Sequence, residues 1–488
     1  MKEIICTVSV GIVVTVLFII SGCSGGESLP DNGGDDVFLP TGNLIFVCCT
    51  RGNDSNLGTV VEPMQTIQSA IDYADTQYAA ASVIVAAGTY SKDFNTEGSP
   101  VVTLKEGISL YGGYSSDFLM RSTTSYETIL QDTSLAGGVG SNPNRAVEGD
   151  GSVTSITNAT IVDGFTINGG GGEFSSGIFN TGSSAPTIQN NIINGGSGSD
   201  YSYGISNLSS NPLVQNNNID GGDAPTRAHG IYNSSSSPTI QYNTLLGGDH
   251  QDNSRTFAIF NSGGSPTIQN NAITAGIGTP SYGIRSEYSS PIIINNTVHG
   301  GTEGLCYGVN DVSSTSTVRN NTVVVGGASS SNTYPVYLGL GSETVIENNI
   351  LITTGGSYRC GICEESSSDN PASVRNNNVY HDGIGGTQML YYDADGGGSL
   401  TDVSTMEQNL NNEGTTASGN VTVDPLFDAG SSDGLLLSAS SPDSVTQEGI
   451  NGVHSTESWG YAIDKNGAQR SPLDDSSSTG WSMGAYEY

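Results

Sequence analysis

Four groupings in this chain hold residue types that could do chemistry. Cys360-Gly-Ile-Cys363 has the spacing of a redox dithiol or of half a metal site. Asp249-His250-Gln-Asp252, followed by Arg255, places two carboxylates and one imidazole in a short loop, donors suited to calcium or a transition metal. Calcium takes about six to eight oxygens, so this loop would need help from neighbouring segments. His229 is an imidazole that could serve as a base, and Arg285, beside Glu287, is a cation that could neutralise a substrate acid. Paired carboxylates are scarce. Asp-Asp occurs only at Asp35-Asp36 and Asp474-Asp475, and beyond residue 23 only Lys92, Lys105 and Lys465 carry an amine.

What positions these groups is a repeat. Its clearest copies read Gly177-Ile-Phe-Asn…Pro186-Thr-Ile-Gln-Asn-Asn and Gly230-Ile-Tyr-Asn…Pro238-Thr-Ile-Gln-Tyr-Asn. The last Asn of the phrase falls at 191, 217, 243, 271, 296, 321, 349 and 377, in steps of 26, 26, 28, 25, 25, 28 and 28 residues. A period in this range, made of short β-type runs and turn residues, predicts a solenoid in which stacked units share one core. Cys360 and Cys363 lie inside it, with Gly361-Ile362 at the Gly-Ile place of other units. They therefore read as strand positions, and nothing nearby supplies the two further ligands of a structural zinc site.

Strand alternation assigns the faces. Ile178, Ile205, Ile231, Ile259 and Ile284 should point inward, as should Ile188, Val214, Ile240, Ile268, Ile293, Val318, Ile346 and Val374. The same parity puts Tyr203, His229, Phe257, Tyr282 and Tyr307 inside, so His229 reads first as a packed core or rim histidine. Phe179, Tyr232, Phe260 and Arg285 fall in one outward column. Outward aromatics could receive the C–H face of a sugar ring, or could pack beneath loops. Gln189, Gln215, Gln241 and Gln269 form another outward column, continued by Arg319, Glu347 and Arg375 as an exposed alternating-sign ladder. The Asn-Asn step should turn the chain, and its side chains should bond along the axis. Variable loops 197–202, 223–228, 249–256 and 277–281 gather on one edge, the usual working face of a solenoid.

The balance of 14 basic to 48 acidic residues, −34 at neutral pH, opposes nucleic acid as a partner. Residues 1–22 read as a signal peptide: Lys2, an apolar run from Ile4 to Ile20, and no basic flank to stop transfer. Ile20-Ser-Gly-Cys23 resembles the lipobox of bacterial lipoproteins. That resemblance implies acylation of Cys23 and a membrane anchor outside the cytoplasm, with Ser24 favouring the outer membrane. Residues 23–43 then form a flexible tether.

The Pro-Thr-Ile-Gln-Asn-Asn units resemble the right-handed parallel β-helix of the pectate-lyase-like superfamily. Gly52-Asn-Asp-Ser-Asn-Leu-Gly58 and Pro63-Met-Gln-Thr-Ile-Gln-Ser-Ala-Ile71 resemble its N-terminal segment, where a short helix caps the core. Asp424-Pro-Leu-Phe427, Ser441-Pro442 and Gly484-Ala-Tyr-Glu487 resemble the choice-of-anchor-Q segment of bacterial surface β-helix proteins, although Asp443-Ser444-Val445 departs from its usual Ala-Ile-Asp. The expected architecture is all-β: a solenoid of roughly ten coils over residues 44–430, followed by the anchor-like segment 431–488.

Many members of the superfamily act on polysaccharides. The resemblance thus implies lyase-like chemistry as one reading, with His229 and Arg285 as catalytic candidates. Its hydrolases carry Asp-Asp on a central strand with Arg-x-Lys nearby, which this chain lacks. The missing base and carboxylate motifs favour the other reading, a monomeric, lipid-anchored surface protein. Such a protein would bind glycans or cell surfaces through Phe179, Tyr232, Phe260 and Arg285. No cofactor is expected beyond calcium at Asp249, His250 and Asp252.

Overall fold

The computed structural model describes residues 39–92, 99–138, 142–249, 254–328, 331–382, 386–427, 435, 437–438 and 440–442. The proposed signal peptide, Cys23, His250, Asp252 and most of segment 431–488 lie outside them. Among the described residues no helix is long and apolar enough to cross a membrane.

Each regular coil contributes one strand to each of three sheets, parallel throughout except where Gly398–Leu400 pairs antiparallel with Thr387–Asp393 at the end of the third. The coil that opens at Thr187–Gln189 continues through Ile192–Asn194 and Tyr201–Leu208. Stacking gives a first sheet of 13 strands, a second of 11 and a third of 12. Register is regular: Ile178, Ile205, Ile231, Ile259, Ile284 and Val309 are successive partners in the third sheet. All of these are fully buried, as is the row from Ile188 to Val374 in the first sheet. Together with the inner row of the second sheet they form one continuous apolar core.

The corner between the first and second sheets follows from the Asn-Asn step. Its first residue adopts the left-handed conformation at Asn190, Asn216, Asn270 and Asn295 (φ 55°, 54°, 57° and 55°), which Asn tolerates better than other residues with a side chain. The second Asn turns inward and bonds along the axis. Asn217 Nδ2 donates to Asn243 Oδ1 at 3.1 Å and to the Ile188 carbonyl at 2.8 Å, while its Oδ1 accepts from the Asn191 backbone N–H at 3.0 Å. This arrangement repeats through Asn377 and ends on Asn420.

The core is closed at its start by helix α1 (Ile67–Gln77), capped by Thr66, which places Ile67, Ala70, Ile71 and Ala74 over the first coils. A second helix, α2 (Val403–Asn412), buries Met406 and Leu410 at the other end. This second cap is a feature the repeat analysis did not contain. Both are needed because a solenoid leaves its terminal coils with unpaired backbone and bare core.

Candidate functional site

The third sheet departs from strict strand alternation, and that departure builds its outer face. A Cβ on Gly204 would meet Ile219 Cγ2 at 2.6 Å, and one on Gly283 would meet Val298 Cγ1 at 2.4 Å, both atoms of the core. Ala258, at the same place in its coil, belongs to that core. The residue before each inner Ile therefore also faces inward. Two consecutive inward residues bend the strand, and the residues on either side of the pair both end up outside.

This corrects the assignment of Tyr203, His229, Phe257, Tyr282 and Tyr307 to the interior. They form an exterior ladder, separate from the central core, facing the column of Tyr232 and Phe260 across the bend. Ring centroids along the ladder lie 5.1 Å (Tyr203–His229), 4.8 Å (His229–Phe257), 4.8 Å (Phe257–Tyr282) and 4.8 Å (Tyr282–Tyr307) apart. Across the bend, His229 meets Tyr232 at 5.5 Å and Phe257 meets Phe260 at 5.2 Å, both edge to face. Such pairs contribute about 0.5–1.5 kcal/mol each beyond their burial.

Stacking along the axis covers the ring faces. Phe179 is 2 % and Phe260 5 % exposed, and Tyr232, half-buried, stacks on Phe260 with an interplanar angle of 3°. What this surface offers a ligand is ring edges and tyrosine hydroxyls, not open ring faces. Of the two catalytic candidates, His229 is 1 % exposed, stacked between Tyr203 and Phe257. Burial, aided by the Arg227 charge, pushes its pKa down to about 3. It stays neutral and out of reach of a substrate. Arg285 stacks over Tyr282 at 4.9 Å and is held by Glu287 at 2.7 Å.

Cations flank the ladder. Arg145 stacks over Phe179 at 5.6 Å and pairs with Glu148 at 2.6 Å. Arg227 stacks over Tyr201 at 5.7 Å and is the direct register partner of Arg255 in the next coil. Neither Arg227 nor Arg255 has an ion pair among the described residues, although the chain carries 48 acidic side chains. Like charges directly opposite one another destabilise a sheet. Beside the leading edge of this face opens a recess of about 460 Å³, lined by Leu135, Gly137, Gly172, Glu173, Ser197 and Ser199. It lies on the edge where the variable loops gather.

Asp249 is exposed and pairs in a β-bridge with Ile277, while its proposed co-ligands His250 and Asp252 lie outside the described residues. No group of three or more His, Cys, Asp or Glu is placed to hold a metal ion among the described residues. The outward Gln column bonds as an amide ladder, with Gln215 Nε2 donating to Gln189 Oε1 at 2.9 Å and Gln241 to Gln215 at 2.9 Å. The expected charge ladder also forms, but not on an exposed surface: Glu347 is 1 % exposed, between Arg319 at 2.9 Å and Arg375 at 2.9 Å. The signal for the bend was present in the sequence as the small residue before each Ile, at Gly177, Gly204, Gly230, Ala258, Gly283, Gly308 and Gly361.

This winding is that of a right-handed parallel β-helix. Residues 231–397 match the family described as right handed beta helix region, and residues 50–248 match a protein family of unknown function, DUF1565. No match was found among curated proteins. Among solved structures, pectate lyase Pel9A is similar at 15 % identity, covering 92 % of this chain and 98 % of that one, with a TM-score of 0.46. A rhamnogalacturonan lyase is similar at 13 % identity, over 71 % and 89 % of the two chains, with a TM-score of 0.38. The A-module of the Azotobacter vinelandii mannuronan C-5 epimerase AlgE6 is similar at 16 % identity, over 74 % and 94 %, with a TM-score of 0.33. Likeness at this level concerns the fold and not the activity.

Proposed function

We propose that this chain binds an acidic glycan along the outer face of its third sheet, without chemical turnover. The observation that carries this reading is the pair Arg227 and Arg255, in direct register with no ion pair to an acidic residue among the described residues, on a protein of charge −34. A uronate or sulfate group bridging the two guanidiniums would relieve their repulsion through charge-assisted, bidentate hydrogen bonds. Tyrosine hydroxyls at the ladder edge would take sugar hydroxyls, and the recess beside Glu173 would hold a flanking residue. Arg285, Tyr232, Phe260 and Phe179 shape this face, the rings by packing and Arg285 by charge.

The test is binding of the full chain to polygalacturonate and to neutral dextran, followed across a salt series. Selective binding to the acidic polymer that weakens with salt is expected, and Arg227→Ala with Arg255→Ala should abolish it without loss of folding. Equal binding to dextran, or retention in the double variant, would sink the proposal. Release of unsaturated sugar in the same samples would instead favour a lyase.

The chain is read as working in monomeric form at the outer membrane, anchored through acylated Cys23. The support is the Ile20-Ser-Gly-Cys23 motif after an apolar run. Fatty-acid labelling should disappear in Cys23→Ser; persistence would move the anchor elsewhere.

A further inference from the structure

The double column on the bend changes its chemistry in one place. The ladder runs as rings from Tyr203 to Tyr334, and then becomes Cys360 and Met389, which are direct register partners in adjacent coils. The facing column passes from Tyr337 to Cys363 and on to Tyr392. Across the bend, residues three apart in one coil face each other, as Tyr334 and Tyr337 do with centroids 5.2 Å apart. Cys360 and Cys363 occupy that same pair of positions in the next coil. The geometry that brings rings together elsewhere here brings two thiols together, with a thioether from the coil above.

The three sulfur side chains form one buried cluster, at 0 %, 3 % and 1 % exposure for Cys360, Cys363 and Met389. Tyr334, Tyr337, Tyr358 and Tyr392 pack around them. Both cysteines are free thiols. Cys360 Sγ donates to the Ile362 carbonyl at 3.1 Å, and the Tyr358 hydroxyl approaches Met389 Sδ at 3.5 Å. Simple gap-filling would be served by any apolar side chain, whereas this spot holds sulfur at all three convergent positions.

We propose that Cys360, Cys363 and Met389 form a binding site for a soft, thiophilic metal ion of the Cu(I) class. Thiolate and thioether donors select such ions over hard cations. Zinc in a structural site asks for four N or S ligands, and this cluster supplies three. Cu(I) is content with fewer. The thiolate and not the thiol is the metal ligand, so both thiol protons leave when the ion enters. Binding then exchanges one cation for two protons, leaving a Cu(I) dithiolate with a net charge of minus one shielded by the surrounding rings. No electron is transferred in this step. Affinity should rise with pH because protons are released.

The test uses the full chain, reduced and kept free of oxygen, titrated against Cu(I) held by bicinchoninate, with loss of the coloured complex as readout. Withdrawal of one Cu(I) per chain is expected, with an affinity that climbs between pH 6 and pH 8, by about two orders of magnitude per pH unit if both protons leave. Cys360→Ser with Cys363→Ser should lose that equivalent, and Met389→Leu should weaken it at least about tenfold. Cys48→Ser with Cys49→Ser, and Cys306→Ser, should leave it in place. The pH dependence and the Met389→Leu variant keep the proposal open to refutation if the double variant fails to fold. A chain that withdraws no Cu(I), an equivalent lost with Cys48 and Cys49 instead, or an affinity indifferent to Met389 and to pH would overturn it.

Discussion

The Asn corner and the bend of the third sheet are both columns of stacked side chains, yet they are built on opposite rules. At the corner the same amide recurs from Asn191 to Asn420, each side chain as far as Asn377 bonding the amide of the next coil and a carbonyl of the previous one, and Asn420 ending the row on Glu407. At the bend the occupants change from coil to coil: Tyr203, His229, Phe257, Tyr282, Tyr307, Tyr334, Cys360, Met389. Hydrogen bonds in a buried corner are obligatory and admit one residue type. Stacking is non-specific and admits any flat or soft group that fills the width. The lesson is that a solenoid fixes its shape on hydrogen-bonded columns and keeps its dispersion-held columns open to new chemistry. Both the arginine-flanked face and the sulfur cluster lie on the second kind.

The sharpest way to break this contrast is to mutate one member of each column. Asn271 Nδ2 donates to the Ile240 and Gln269 carbonyls and to Asn296, while its Oδ1 accepts from the Asn243 backbone N–H. Asn271→Ala should strand several buried groups at about 1–3 kcal/mol each, for a total loss of more than about 3 kcal/mol in urea unfolding. Phe257→Leu, in the ladder, should cost about 1.5 kcal/mol or less, because a neighbouring apolar group can still pack there. Equal losses would remove the distinction between the two columns.

A smaller effect separates stacking from hydrogen bonding within the ladder itself. His229 titrates near 6.5 when unfolded and at about 3 when folded, because burial opposes its charge. The unfolded chain therefore binds the extra proton between those values. The contribution of neutral His229 is complete above about pH 6.5 and is lost as pH falls toward 3, with a slope of about 1.4 kcal/mol per pH unit. His229→Phe should keep the stack and flatten that part of the stability profile, giving about 2 kcal/mol over wild type at pH 5 when the two are matched at pH 7. Parallel profiles for the two proteins would show that the imidazole is solvated and the ladder open.

Much of this was legible in the residues. The period of the Asn positions, the inward rows of Ile and Val and the amide ladders all follow from repeat spacing and strand alternation, because stacked coils leave those side chains a single choice of face, while the capping helix α1 was implied by the family resemblance of residues 52–71. The outer site was legible only in part. Phe179, Tyr232, Phe260 and Arg285 do share one outward column, but alternation alone sent Tyr203 and His229 to the wrong side. Alternation assumes an unbent strand, and at Gly204, Gly230 and Ala258 the chain presents two inward residues in succession.

By itself, then, the sequence determined the solenoid, its coil length and its core, since each depends on contacts repeated at a constant separation along the chain. Only the tertiary structure decided that the aromatic ladder is exterior and closed to face-on ligands, that Arg227 and Arg255 are register partners with no ion pair among the described residues, and that Cys360, Cys363 and Met389 meet. Those facts depend on a bend of the backbone and on which residues become neighbours one coil apart, and neither is carried by the spacing of any single motif.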